Sequence, residues 1–123
     1  RLETGNWTGN TYGKIQHHSD SLYICGGSQS NYSIILRDNN ADRIYMKTDG
    51  TFYPTTNNYS DLGTTSNRWR NIYTTDLQLS NEGKTNDVDG TWGDFTIQEG
   101  ESDLFLINNR NGKKYKFNLT EVL

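Results

Sequence analysis

The chain has 123 residues and a mass of 14.1 kDa, room for one ordinary domain or two very small ones. A net charge of −3, an acidic pI of 5.2 and the lack of a Lys/Arg stripe argue against nucleic acid as a partner. No apolar run approaches the roughly 18–20 residues of a membrane span, and no basic amphipathic face suits a membrane surface. Apolar residues make up only 31%, yet eight Tyr, four Phe and three Trp argue for order, and 15 Asn, 15 Thr and 12 Gly make the chain β-rich and turn-rich. That leaves too little apolar matter for a generous monomeric core, so we expect other copies of the chain to supply the missing burial. The sequence opens at Arg1 without Met or a leader, and a piece of a longer protein is expected.

In chain order, short β-type runs separated by Gly, Asn and Asp are expected at Gly13–His18, Ser21–Cys25, Tyr32–Arg37 and Arg43–Lys47. The lone Cys25 excludes an intrachain disulfide and reads as a small hydrophobe. Asp49-Gly50 marks a tight hairpin, because both residues tolerate positive φ, with Thr51-Phe52-Tyr53 returning and Pro54 ending the pairing. Residues 55–60 read as a polar loop.

Trp69, Ile72 and Tyr73 stand at i, i+3 and i+4, which predicts one short helical turn over about 67–74, capped by Ser66 or Asn67. So short a helix must dock its apolar face on something. Leu77 and Leu79 return to extended chain. The last third predicts a β-meander over 91–120: Phe95 and Ile97 alternate with polar residues, and Leu104–Ile107 suits a central strand. Residues 108–112 form a loop, and a closing strand turns Tyr115, Phe117 and Leu119 inward and Lys114, Lys116 and Asn118 outward. The fold class is therefore all-β. The expected parts are a strand-rich segment over 1–55, a turn segment over 56–80 and a tip over 81–123.

One stretch is distinctive beyond its pattern. Asp49-Gly50-Thr51-Phe52-Tyr53-Pro54 is followed by Asp61-Leu62-Gly63, then Arg68-Trp69-Arg70-Asn71-Ile72-Tyr73. The stretch over residues 43–80 resembles tail fibres and tailspikes of tailed bacteriophages, in which such a string precedes the distal end. Residues 96–117, TIQEGESDLFLINNRNGKKYKF, resemble a small distal module of marine-phage fibres. The resemblance implies a homotrimer at the distal end of a virion fibre that attaches to a host surface glycan or protein. It also makes Trp69, Ile72 and Tyr73 trimer-packing residues. Truncating Trp69, if it is buried in the assembly, would then cost roughly 3–5 kcal/mol. Many such fibres continue into a self-cleaving chaperone that begins near a Ser-Asn or Ser-Asp dyad. Ser80-Asn81 lacks the Arg that should follow, and too few residues remain for that bundle. The alternative is a purely structural trimerisation clamp, with recognition elsewhere.

Catalysis needs convergent titratable groups, and none stand at a specific spacing, so no enzyme is expected. His17 and His18 point to opposite faces of a strand and cannot chelate one metal within a chain. In a trimer either could line the axis, but the His-x-His pattern of metal-binding fibres is missing, and no cofactor is expected. Asp87-Val88-Asp89-Gly90 resembles part of a calcium loop but has Thr85 and Thr96 where ligands belong, so a turn is the expectation. Binding suits the sequence better. Trp92 lies between glycines in a loop, and with Asp94, Asn108, Asn109, Arg110 and Asn111 it offers a ring for a sugar face and polar groups for hydroxyls. The competing expectation is that Trp92 plugs the core of the tip, since Trp is usually highly buried.

Overall fold

Asn, Asp and Gly turns cut the chain into strands, and the protein is all-β. The computed structural model describes residues 2–4, 14–26 and 32–123, and among them are ten strands and no helix. Two units divide at residue 62.

The first unit holds two three-stranded sheets. In one, β1 (Leu2–Thr4) lies parallel to β2 (Lys14–His18), which pairs antiparallel with β3 (Ser21–Cys25). Ser19 and Asp20 both take positive φ, 47° and 64°, so a two-residue turn joins β2 to β3 with the right-handed twist that strands favour. In the other sheet, β4 (Tyr32–Asp38), β5 (Ala41–Lys47) and β6 (Phe52–Pro54) form an antiparallel meander. Arg37 bonds Asp42 at 2.8 Å and Arg43 bonds Asp38 at 2.6 Å across the β4–β5 hairpin. On β5 and β6 the Tyr45 and Tyr53 rings meet edge to face, 5.8 Å apart.

The hairpin at Asp49-Gly50 forms with three loop residues rather than two. Gly50 N–H donates to Lys47 O and Lys47 N–H to Thr51 O, with Gly50 at φ 88°. This is the turn-plus-bulge form that needs a left-handed residue in third place. Pro54, with no N–H to give, ends the edge strand opposite Ile44.

The second unit is one antiparallel sheet in which each strand lies next to its neighbour in sequence. Its strands are β7 (Leu77–Ser80), β8 (Asp94–Glu99), β9 (Leu104–Asn108) and β10 (Lys114–Lys116). The expected meander is present, and β7 joins it as an edge strand, with Leu77 opposite Ile97 and Leu79 opposite Phe95. β9 is central as expected, though its apolar residues are at most half-buried. The closing strand is shorter than its alternation suggests. It stops at Lys116, Tyr115 is exposed, and Leu119 lies beyond it at 72% exposure. Only Phe117 of the three expected inward residues is half-buried, its N–H donating to Leu104 O.

The helical turn over 67–74 does not form. Gly63 takes φ 90° and turns the chain, and Thr64 N–H then donates to Asn67 O at 2.9 Å. That bond runs opposite to the helical direction and occupies the carbonyl that a helix would offer to a later N–H. The capping bond does exist, but on Thr64 rather than Ser66 or Asn67: its hydroxyl accepts from Asn67 N–H at 2.9 Å. Arg68 donates back to Thr65 O. The three apolar residues of the expected turn stay 65%, 70% and 92% exposed, so nothing offsets the cost of nucleation.

Among the described residues no apolar side chain is fully buried, and Thr96 is the buried polar one. Thr96 is held by its neighbours: its hydroxyl donates to Gln78 Oε1 at 2.7 Å and accepts from Asn109 Nδ2 at 3.0 Å. Polar cross-strand bonds therefore occupy the centre of this sheet.

Candidate functional site

The β7–β8 connection, residues 81–93, is organised by short polar side chains. Asn81 closes its base, with the side-chain oxygen accepting from Gly93 N–H at 2.8 Å and Asn81 N–H donating to Gly93 O. Asn86 is the hub. Its Oδ1 accepts from the N–H groups of Val88 and Asp89, and its Nδ2 donates to Asp89 Oδ1 at 2.7 Å and to Thr91 O at 2.8 Å. Asp89 Oδ1 also accepts from the Thr91 N–H and hydroxyl. These donors, Asn86 first and then Thr91, hold the Asp89 carboxyl below its usual range. Asp87–Gly90 is thus the side-chain-stabilised turn expected from the sequence. Among the described residues no group of three His, Cys, Asp or Glu could hold a metal ion.

The β9–β10 connection folds in the same way. Gly112 N–H donates to Asn108 O and Asn108 N–H to Lys113 O, while Asn108 and Asn111 side chains accept from Arg110 and Lys113 N–H. The two connections meet at one end of the sheet. Arg110 reaches across and lays its guanidinium over the Trp92 ring, 3.7 Å from the centroid, with Nη1 donating to Trp92 O at 2.8 Å. Beside this stack lies an open cleft of about 540 Å³. Asn86, Asp89 and Thr91 line it from the first connection, and Asn108, Arg110 and Asn111 from the second. Trp92, Gly93 and Phe95 complete the lining.

Of the six residues the sequence offered for binding, Trp92, Asn108, Arg110 and Asn111 come together here. Trp92 neither plugs a core nor stands bare; it is half-buried under Arg110. Asp94 and Asn109 serve the sheet instead, with Asn109 Nδ2 donating to Asp94 Oδ1 at 2.8 Å and to Thr96. Asn86, Asp89 and Thr91 join the lining without a motif of their own, although their two- and three-residue spacing is the mark of a side-chain-built loop. Trp69, Ile72 and Tyr73 share no helical face and are 65%, 70% and 92% exposed in the single chain. His17 is exposed on β2, opposite Leu22; the His18 side chain lies outside the described residues.

No family model, curated protein or solved structure matches the chain.

Proposed function

We propose that the chain is the distal part of a trimeric tail fibre or tailspike of a tailed bacteriophage. On this reading it sits on the virion and attaches, without catalysis, to a glycan or protein of the host cell surface. The observation that carries attachment is the cleft at the Trp92–Arg110 stack, where an aromatic ring, a guanidinium, amides, the Thr91 hydroxyl and the Asp89 carboxylate converge at one end of a sheet. Such a set grips polyols, with the sugar beside the ring and the polar groups on its hydroxyls. Three copies in one assembly would turn weak single-site affinity into firm attachment.

A second reading is a trimerisation clamp. It is favoured by Trp69, Ile72, Tyr73, Leu77 and Leu79, which expose a run of apolar surface that another copy could cover. Adsorption separates the two. Labelled protein is expected to bind particular strains in a bacterial panel saturably, to be displaced by unlabelled protein, and to release no new reducing ends from their polysaccharides. Asn111→Ala, in an exposed loop, should weaken that binding about tenfold while the assembly stays intact. A folded assembly that adsorbs to no strain would leave only the clamp.

A further inference from the structure

The attachment reading leaves the chemical class of ligand open, and the charge around the cleft narrows it. The chain as a whole is acidic, yet residues 104–120 contain Arg110, Lys113, Lys114 and Lys116 and no Asp or Glu. Lys116 has an acid partner, Asp103, at 3.6 Å. Among the described residues no carboxylate pairs with Arg110. Its guanidinium is nevertheless held, by the Trp92 ring beneath it and by the Nη1 bond to Trp92 O, and the Arg110 backbone is anchored by its N–H donating to Asn108 Oδ1. Long cationic side chains usually lose rotamer freedom on binding, and here much of that loss is already taken. A planar fork held in place suits a carboxylate or sulfate, which accepts two parallel N–H bonds. The acid that lines the same cleft, Asp89, has its Oδ1 taken by Asn86 and Thr91 donors and makes no ion pair with Arg110.

We infer that the cleft takes an anionic saccharide, with the acid group on the Arg110 guanidinium and the sugar ring beside Trp92. The inference rests on the attachment reading and adds the ligand class. The cleft, at about 540 Å³, has the size of a small-ligand site, typically about 300–1,000 Å³.

The test uses the full chain and two matched pairs of polymers, with binding followed by calorimetry. One pair is polygalacturonate and its methyl-esterified form; the other is dextran sulfate and dextran. Within each pair the sugar backbone is shared and the acid group is esterified or missing in one member, and the two pairs separate a carboxylate ligand from a sulfate one. The charged member of at least one pair is expected to bind, its neutral partner at least about tenfold more weakly, and affinity should fall as salt rises. Arg110→Gln should lower affinity for that polymer about tenfold, and Lys114→Gln by clearly less. Equal binding of charged and neutral polymers overturns the inference, as does binding to none. Equal losses in the two variants also overturn it, because diffuse charge along the hairpin would then explain the binding. If Arg110→Gln does not fold, the matched pairs and the salt dependence of the wild type decide alone. Strain adsorption run in parallel keeps the two readings apart. Wild-type protein that adsorbs to cells but prefers neither charged polymer defeats the ligand class alone. Wild-type protein that adsorbs to no strain defeats attachment itself.

Discussion

Asp49 shows how much one side chain can organise a turn. The Thr51 N–H, then the Thr51 hydroxyl and Lys47, hold its carboxyl down at about 2. A folded pKa below the unfolded value means that the stabilisation is full above the ordinary value of 3.8 and is lost as pH falls through about 2. An NMR titration of the Asp49 carboxyl carbon should therefore have its midpoint near 2; a midpoint near 3.8 would mean that the turn does not hold in solution. Thr96 makes the same point inside the sheet, because it is 5% exposed and its hydroxyl joins Gln78 to Asn109. Thr96→Val keeps the shape but leaves Gln78 Oε1 without this donor and Asn109 Nδ2 with Asp94 alone, and should lower stability by about 1–3 kcal/mol in a denaturant melt. An unchanged midpoint would mean that the network adds nothing.

At the scale of elements, the backbone at two glycines decides where the chain turns. Gly50 and Gly63 both hold positive φ, but a Cβ on Gly50 meets nothing, whereas one on Gly63 would lie 3.1 Å from Asn67 O. Gly50→Ala should cost about 1 kcal/mol from strain alone, and Gly63→Ala more, in paired thermal melts. Equal losses would show that the 63–67 turn is loose. The same turn explains why the expected helix is missing. The spacing of Trp69, Ile72 and Tyr73 fits a helix, but local hydrogen bonding from Thr64 uses up the groups that a helix needs. The strands were legible where alternation and turn residues agree, as at Ser21–Cys25 and through β8 and β9. Pairings across long separations were not, because nothing local fixes them. The parallel β1–β2 contact and the placing of β7 beside β8 across residues 81–93 are of this kind. The candidate site divides in the same way. Trp92 and the Asn/Arg tip could be read as residue types, but their convergence depends on the β8–β9 register, in which Phe95 stands opposite Asn108.

At the scale of the molecule, the described residues contain no fully buried apolar side chain. Hydrophobic burial contributes about 25 cal/mol per Å², so a chain that leaves Trp69, Ile72, Leu77 and Leu79 in water forgoes several kcal/mol. Covering them would recover that energy, and in the trimer proposed above neighbouring copies would do so. Trp69→Ala should then weaken assembly by roughly 3–5 kcal/mol, read as a shift in the concentration at which the oligomer dissociates. A variant that assembles as well as the wild type would remove Trp69 from the interface. The most direct measurement is the solution mass by light scattering behind size exclusion. The account predicts a single species of about 42 kDa, three times the 14.1 kDa chain, as a closed three-fold assembly requires. A folded, stable species of 14.1 kDa would contradict it.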